Sequence, residues 1–383
     1  MPAPKVALVH EWLVDHSGSE KVLEQMLLVF PEADLFSLVE FLPEDLKPFI
    51  RHKKVTTSFV QKLPLARKHY RNYLPLMPLA VEQLDVSAYD IVISNSHAVT
   101  KGVITRSDQL HLCYCHSPVR YAWDLYHQYL GEAGLRRGVR GAVAKLLLHY
   151  LQLWDLSTVN RIDCFMANSH YIARRINKVY RRSATVVYPP VDTEGFTLQT
   201  NKEDFYFTAS RMVPYKRMDL IVRAFARMPE KKLVVIGDGT EMEKVRAAAG
   251  PNVTLLGFQP FAVLKDHLQR ARAFVFAAEE DFGIIPVEAQ ACGTPVIAYG
   301  RGGSRETIVA KETGVFFNEQ TEDSIIEGVN RFEQLESGFS PQTIRQQAEK
   351  FSNKAFRRAF RQVVEAAYAQ QQQPPEIREQ SDS

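Results

Sequence analysis

The sequence predicts an α/β protein with two doubly wound parallel sheets, one in each half of the chain. Short runs that are apolar at every position alternate with longer segments of helical spacing, and such runs are typical of parallel strands covered on both faces. The length of 383 residues suits two domains rather than one. The predicted strands are residues 6–9, 91–93, 112–114 and 164–166 in the first half, and 205–207, 233–236, 253–256, 274–276 and 296–298 in the second.

A segment with two adjacent prolines near the middle of the chain predicts the domain boundary. Pro189 and Pro190 favour extended backbone in the residues before them, which suits a linker. We therefore predict a first domain over residues 1–188 and a second over residues 189–355. Apolar residues at helical spacing predict a helix over residues 356–370 that returns to the first domain. The Gln- and Pro-rich tail, residues 371–383, is predicted to be disordered.

The overall composition is that of a soluble globular protein. The net charge is +3 and 24% of the residues are charged. No motif for nucleic-acid binding is present, so no nucleic-acid partner is expected. The four cysteines form no Cys/His cluster with zinc spacing, so reduced thiols are expected. The chain lacks a signal-peptide pattern and an apolar stretch of about 20 residues, so we expect a cytoplasmic protein that contacts the inner membrane peripherally at most.

Two glutamates separated by seven residues follow one of the predicted strands of the second half. Glu280 lies on the loop after that strand, and Glu288 lies on a helix whose first turn contains Pro286. Ionised carboxylates only accept hydrogen bonds, so two at this separation can hold hydroxyls at opposite ends of an elongated polyol. Acids at a helix start also suit the helix dipole without any ligand. The backbone N–H groups at the helix start, which can donate to sugar or phosphate oxygens, belong to Phe282, Gly283 and Ile284.

Residues 280–288 resemble the Glu-x7-Glu motif of glycosyltransferase family 4, including its Phe-Gly and Pro-x-Glu interior. Residues 289–298 and 302–306 are typical of the same family. The resemblance covers most of the chain. It implies a GT-B fold, in which two Rossmann-like domains face each other across a cleft and bind the acceptor and the nucleotide sugar respectively. It also implies that Glu280 holds hydroxyls of the donor sugar and that Glu288 holds the ribose.

A pair of cations follows the first predicted strand of the second half. Arg211 and Lys216 lie just past the strand end, where permanent positive charges can meet a diphosphate. The departing nucleoside diphosphate gains charge during the reaction, so these cations would stabilise the transition state more than the ground state. A solvated basic loop is the alternative, and the segment resembles the Arg-x4-Lys signature of the family. No metal or other cofactor is expected, because the two cations supply the charge and no Asp-x-Asp triplet is present.

Further donor-binding residues are predicted on two loops. Gly18 lies between the first strand and a helix predicted to begin near Glu20, where glycine permits close approach of a ligand to the backbone. Many family members carry two glycines here, whereas this chain has Ser17 at the first position. In the family the loop after the strand that ends near Leu256 frames the nucleotide base, which makes Phe258 a candidate.

His116 directly follows a predicted strand of the first half. A lone histidine is usually structural, but this one resembles the active-site histidine of the family, which implies a hydrogen bond to the donor sugar or the reaction centre. The predicted catalytic set is therefore His116, Arg211, Lys216 and Glu280. The predicted acceptor-binding residues are Arg120, Tyr121, Trp123 and Asp124.

Residues 135–154 carry apolar residues at helical spacing, interleaved with basic ones. We interpret them as an amphipathic helix that covers its own sheet. The alternative is a helix that lies in the interface of an anionic membrane. A second basic cluster adds to that alternative. It consists of Arg51, Lys53, Lys54, Lys62, Arg67, Lys68 and Arg71.

The predicted activity is transfer of a sugar from a nucleotide donor with retention of configuration. No carboxylate pair stands out for a double displacement, and the family resemblance implies front-face attack assisted by the leaving diphosphate. Residues 9–13 and 114–129 resemble bacterial mannosyltransferases of O-antigen or exopolysaccharide assembly, which implies GDP-mannose as donor and a lipid-linked glycan as acceptor. A UDP-hexose donor, a sugar-nucleotide epimerase and a silent binding protein are the alternatives.

Overall fold

The computed structural model describes residues 4–373. They form two compact units. The first contains the chain up to Asn168, Ile172–Val187 and the residues from Arg357 onward, and the second contains Ser169–Tyr171 and Tyr188–Phe356. The chain thus passes from the first unit to the second between Val187 and Tyr188, next to the paired prolines.

The first unit is built on a parallel sheet of seven strands in the order β3-β2-β1-β4-β5-β6-β7. Every residue of the central strands β4 and β5 is buried, as expected for a sheet with both faces covered. The strands are β1 (Val6–Leu13), β2 (Asp34–Glu40), β3 (Val55–Thr57), β4 (Ile91–Ser96), β5 (Leu110–Cys115), β6 (Cys164–Ala167) and β7 (Thr185–Val186). The α-helices are α1 (Gly18–Val29), α2 (Ala66–His69), α3 (Met77–Glu82), α4 (Tyr126–Glu132), α5 (Gly138–Ser157) and α6 (His170–Tyr180).

The second unit repeats this arrangement with six parallel strands in the order β10-β9-β8-β11-β12-β13. Its strands are β8 (Glu203–Ala209), β9 (Leu233–Ile236), β10 (Val253–Leu255), β11 (Ala271–Phe276), β12 (Val296–Tyr299) and β13 (Gly314–Phe317). Its helices are α7 (Met218–Ala226), α8 (Met242–Ala248), α9 (Phe261–Arg270), α10 (Ile284–Ala291), α11 (Ser304–Thr307), α12 (Glu322–Leu335) and α13 (Pro341–Glu349), and α14 (Asn353–Gln371) begins here.

The predicted fold class, two doubly wound α/β domains, is confirmed. Each predicted strand lies in a strand of the structure, apart from Leu256, which follows the end of β10. The order of strands reverses between β1 and β4 in the first sheet and between β8 and β11 in the second. Ligands of open α/β sheets bind at such reversals, beyond the carboxyl ends of the strands.

Helix α14 contains the helix predicted over residues 356–370. From Arg357 onward it belongs to the first unit, where Phe360 is buried and its ring meets that of Phe30 edge-on at 6.1 Å between centroids. The helix ends at Gln371. The tail predicted to be disordered lies outside the described residues from position 374 on.

Helix α5 contradicts the interpretation that residues 135–154 cover their own sheet. Of the predicted apolar stripe, Trp154 is buried, whereas Val139, Val143, Leu147 and Tyr150 are exposed. The buried side of α5 is built from a different set, Gly141, Leu151, Trp154 and Asp155. Among residues 4–373, no helix is long and apolar enough to cross a membrane.

Candidate active site

A chain of hydrogen bonds occupies the point in the first sheet where the strand order reverses. His10 on β1 and Asn95 on β4 are register partners, so their side chains lie side by side. Asn95 Nδ2 lies 3.0 Å from His10 Nδ1, and His10 Nε2 lies 3.1 Å from Glu20 Oε1. On the other side, Asn95 Oδ1 lies 2.6 Å from Nε2 of His116, the first residue after β5. The predicted histidine is thus linked through two buried residues to a carboxylate on α1.

The loop around Gly18 is shaped by this carboxylate. Helix α1 begins at Gly18, two residues before the predicted start, and Glu20 is the third residue of its first turn. The Ser17 hydroxyl donates to Glu20 Oε2 at 2.8 Å, and the Ser17 backbone N–H donates to the same oxygen at 3.2 Å. Ser17, which stands where many family members have glycine, therefore fixes the start of the helix.

Burial and hydrogen bonding set the charges in this cluster. Burial opposes ionisation of Glu20, but the hydrogen bonds from His10 and Ser17 outweigh it and hold the pKa of Glu20 well below its usual range. Burial lowers the pKa of His116 to about 3, and the nearby His97 and His10 act in the same direction. At neutral pH, Glu20 is therefore a carboxylate and His116 is a neutral imidazole.

A second buried carboxylate organises the loop after β4. Glu11 is fully buried, and its Oε1 accepts hydrogen bonds from the backbone N–H groups of residues 97–100 at 2.7–3.1 Å. Burial opposes ionisation of Glu11, but His97 and these hydrogen bonds lower its pKa overall. The carboxylate therefore holds the loop that follows Asn95.

The predicted acceptor-binding residues follow His116, and two of them use their polar groups within the first unit. The indole N–H of Trp123 donates to Asp155 on α5 at 2.8 Å. The Asp124 carboxylate pairs with the Arg175 guanidinium. Arg120 and Tyr121 are half-buried beside them. The loop is therefore anchored to α5 and α6.

An ion pair occupies the corresponding reversal in the second sheet. Lys216 follows β8, Glu280 follows β11, and the Lys216 ammonium pairs with Glu280 Oε1. Both side chains keep part of their surface exposed, 16% and 18% respectively. Arg211 on the same loop as Lys216 is exposed. The two predicted charge-bearing loops thus meet, with opposite charges in contact.

A glycine-containing turn supports the Arg211 loop. The Met212 backbone N–H donates to the Asp238 carbonyl at 2.8 Å. Gly237 beside it has a φ of 141°, and a Cβ there would collide with the carbonyl oxygen of Ser210. Only glycine therefore allows the turn after β9 to pack against the loop that carries Arg211.

The Glu280 loop is supported in the same way by Gly303, whose backbone N–H donates to the Glu280 carbonyl at 2.8 Å. A Cβ on Gly303 would collide with the backbone of Phe282. The Phe282 ring is buried and packs against Phe351 at 5.5 Å, so only the backbone of Phe282 is left for the predicted donor contact.

The remaining donor-binding predictions lie on three features of the second unit. Gly283 has a φ of 84° and precedes α10, which begins at Ile284. Glu288 lies on α10 and is 8% exposed. Phe258 is 79% exposed on the loop after β10. Within residues 4–373, no group of three or more His, Cys, Asp or Glu residues is placed to hold a metal ion.

Sequence reasoning missed His10, Glu20 and Asn95 as members of the site. His10 directly follows the predicted strand over residues 6–9, and Asn95 lies two residues after the predicted strand over residues 91–93. A polar residue at the carboxyl end of a buried parallel strand was the available signal.

Comparisons with known proteins agree with this arrangement. A family model described as "Glycosyltransferase Family 4" matches residues 32–195, and one described as "Glycosyl transferases group 1" matches residues 192–358. Together they cover the chain from residue 32 to residue 358.

Two relatives illustrate the similarity. The chain is 27% identical over 240 residues to a GDP-mannose-dependent alpha-(1-6)-phosphatidylinositol monomannoside mannosyltransferase of Mycolicibacterium smegmatis, which covers 52% of this chain and 63% of that protein. It is 30% identical over 193 residues to the GDP-Man:Man(3)GlcNAc(2)-PP-Dol alpha-1,2-mannosyltransferase of Xenopus laevis, which covers 43% of this chain and 40% of that protein. The matches thus span less than two thirds of the length of these relatives.

Among solved structures, the sucrose-phosphate synthase of Thermosynechococcus elongatus superposes with a TM-score of 0.72 at 17% identity, over 96% of this chain and 100% of that one. This similarity concerns the fold. With the two family models and the repeated parallel sheets, it leads to one conclusion: the chain belongs to glycosyltransferase family 4 and has the GT-B fold.

Proposed function

We propose that this protein transfers mannose from GDP-mannose, with retention of configuration, to a lipid-linked glycan of O-antigen or exopolysaccharide assembly. The observation that carries the proposal is the Lys216–Glu280 pair at the strand-order reversal of the second sheet. The choice of donor is supported by the names of the two relatives, both of which are mannosyltransferases whose names include GDP-mannose or GDP-Man.

The charges of the second unit suit a nucleoside diphosphate. The Lys216 ammonium is paired with Glu280, and Arg211 on the same loop is exposed. A bound diphosphate competes with Glu280 for the Lys216 ammonium, which frees the carboxylate to accept hydrogen bonds from sugar hydroxyls. The exchange needs no net burial of charge, because one anion replaces another. Transfer is accordingly proposed to proceed without a metal ion and to persist in excess EDTA.

The donor is tested by thermal shift with GDP-mannose, UDP-glucose and ADP-glucose, followed by transfer assays with the donor that stabilises the protein. GDP-mannose is expected to raise the midpoint temperature of unfolding, and Lys216→Met is expected to abolish this increase. Stabilisation by UDP-glucose alone would overturn the mannosyl assignment. Epimerised free donor in the absence of acceptor would indicate an epimerase instead, and donor binding without transfer or hydrolysis would indicate a binding protein.

Helix α5 supports a membrane-borne acceptor. Its exposed side is apolar, with Val139 81%, Leu146 69% and Leu153 58% exposed, and opposes the side that packs on the first unit. Arg136, Arg137 and Arg140 are exposed at its start. An apolar helix face with basic residues at its margin is the pattern of an interfacial helix on an anionic membrane.

Vesicle sedimentation tests this surface. The protein is expected to sediment with vesicles that contain anionic phospholipid and to remain in solution with neutral ones. Leu146→Asp together with Leu153→Asp should release it, whereas Leu28→Asp, at a leucine that is 44% exposed on α1, should not. If the control substitution released the protein equally, or if binding did not depend on lipid charge, α5 would not be the membrane-binding surface. The donor assignment would be unaffected.

A further inference from the structure

We infer that Asn95 is a positioning residue that fixes the tautomer of His116, so that Nδ1 of this histidine presents an unprotonated lone pair to a hydroxyl of the sugar substrate. The inference rests on the proposed function only for the identity of the ligand. The tautomer itself follows from which atoms donate and which accept in the hydrogen bonds that link Ser19, His10, Asn95 and His116.

The orientation of the Asn95 amide is set by a backbone carbonyl. Asn95 Nδ2 lies 2.9 Å from the carbonyl oxygen of Ser19. A carbonyl oxygen only accepts hydrogen bonds, so the amide nitrogen, not the amide oxygen, must face it. The two hydrogens of Nδ2 then go to Ser19 O and to His10 Nδ1, which lies 3.0 Å away. Rotating the amide by half a turn would bring two oxygens together at Ser19.

His10 is compatible with this orientation in one form only. Its Nδ1 faces an N–H of Asn95 and must accept, so it carries no proton. Its Nε2 faces the Glu20 carboxylate at 3.1 Å and must donate, so it carries the ring proton. Glu20 is kept ionised by its hydrogen bonds from His10 and Ser17, which makes it the fixed acceptor at the end of the chain.

The same logic determines the state of His116. The Asn95 amide oxygen faces Nε2 of His116 at 2.6 Å, and an amide oxygen cannot donate, so Nε2 carries the proton. The ring is neutral at neutral pH, because burial lowers the pKa of His116 to about 3. Nδ1 of the neutral ring is then an acceptor, and within residues 4–373 the hydrogen bond that the His116 side chain makes is the one from Nε2 to Asn95.

The direction of these hydrogen bonds determines which kind of group His116 can bind. An exposed N–H would suit a phosphate or carbonyl oxygen, whereas a lone pair suits the O–H of a sugar. Asn95, which does not touch the substrate in this scheme, acts through His116. Its neighbour Ser19 contributes through the backbone, which no substitution of its side chain removes.

Nitrogen NMR of the histidine-labelled, ligand-free protein at neutral pH tests the tautomer directly. His116 is assigned through side-chain to backbone correlations and by the signal that disappears in His116→Gln. We expect a protonated Nε2 and an unprotonated Nδ1. A protonated Nδ1, either in the other neutral tautomer or in an imidazolium, would overturn the inference. The correlation experiment needs no variant, so a poorly folded His116→Gln does not affect the result.

Asn95→Asp separates positioning from mere support of the fold. The aspartate still accepts from Nε2 of His116, but it brings a negative charge and removes both donated hydrogens. The pKa of His116 should therefore rise from about 3 by at least one unit, and kcat should fall as the pH is lowered through this raised pKa, with KM for the nucleotide sugar nearly unchanged. A loss of activity with an unaltered His116 titration would contradict the assignment.

Titration with GDP-mannose and with GDP identifies the ligand group. The Nδ1 resonance should move with GDP-mannose and stay in place with GDP. If GDP-mannose binds, as followed by thermal shift, and Nδ1 does not respond, Nδ1 is not the acceptor of a donor hydroxyl. If neither nucleotide binds, the proposed donor fails while the tautomer stands on the ligand-free spectrum.

Discussion

The two units place their polar groups at the same point of the same topology, but they stabilise them differently. In the first unit, His10 and Glu20 are fully buried and belong to a continuous hydrogen-bonded chain. In the second, Lys216 and Glu280 form an ion pair that keeps part of its surface in solvent. In the first arrangement the buried side chains of His10, Glu20 and Asn95 bind one another, whereas the second contains an attraction that a ligand can replace.

This difference separates two tasks. A buried hydrogen-bonded network is rigid because removing any member leaves an unsatisfied polar group, at a cost of about 1–3 kcal/mol. The Lys216–Glu280 pair keeps only 16% and 18% of its side-chain surface exposed, so removing one partner is costly, whereas a bound phosphate replaces one anion at Lys216 by another. We therefore expect substitutions in the first unit to change stability and tautomer, and those in the second to change donor binding and leaving-group stabilisation.

Lys216→Met should have the largest effect on transfer. The ammonium is proposed to stabilise charge on the departing diphosphate, and loss of one such group typically lowers kcat by about 100- to 1,000-fold. Steady-state kinetics with GDP-mannose measures the effect, and the unfolding of the variant is measured alongside, because Glu280 is mostly buried and loses this partner. Lys244→Met is the matched control, since Lys244 also pairs with acids of the second unit but is 55% exposed. Comparable losses in both variants would refute the assignment.

Gly303→Ala should reduce both donor binding and stability. The added Cβ would meet the backbone of Phe282, which cannot yield as a side chain can. Such overpacking typically costs about 1–3 kcal/mol, and the Glu280 loop should shift with it. Chemical denaturation and GDP-mannose affinity are the two measurements.

Gly338→Ala provides the comparison for that variant, because no atom lies within 4 Å of the position that its Cβ would take. It should leave both the free energy of unfolding and the affinity for GDP-mannose unchanged. If Gly303→Ala behaved like Gly338→Ala, the glycine would not be shaping the Glu280 loop.

Glu20→Gln should lower the stability of the first unit by about 1–3 kcal/mol at pH 7, because Ser17 and His10 lose an anionic acceptor. The pKa of Glu20 is lower in the folded than in the unfolded chain, so its contribution is fully present above the unfolded value of about 4.5 and is lost as the pH falls through the folded value. The difference between wild type and variant should therefore shrink on acidification below pH 4.5. Urea unfolding at several pH values checks this, and a difference independent of pH would contradict it.

The sequence was sufficient for the sheets and for placing the candidate site residues after their strands. Runs such as Leu233–Ile236 are apolar at every residue, and this pattern follows directly from burial on both faces. The carboxyl ends of the strands then located His116, Lys216 and Glu280 without any tertiary information.

Features that depend on contacts between residues far apart in the sequence could not be predicted from it. The contact between His10 and Asn95 follows from the register of β1 against β4, two strands far apart in sequence. The exposed face of α5 was misjudged because helical spacing identifies an apolar stripe but not what covers it. Gly303 acts through a backbone that lies about twenty positions earlier, which composition alone does not indicate.

Phe258→Ala should have the smallest effect of these substitutions. It tests a contact to the nucleotide base that is made by a largely exposed side chain of the second unit. The ring is 79% exposed, so its removal should leave stability unchanged. Stacking on a nucleotide base contributes about 0.5–1.5 kcal/mol, so GDP-mannose affinity should fall about two- to tenfold. Phe261→Ala is the control, because Phe261 is also exposed but its ring packs against Phe196 at 5.5 Å. That variant should lose stability and keep its affinity. The opposite pattern, measured by calorimetry, would place the base elsewhere on the second unit.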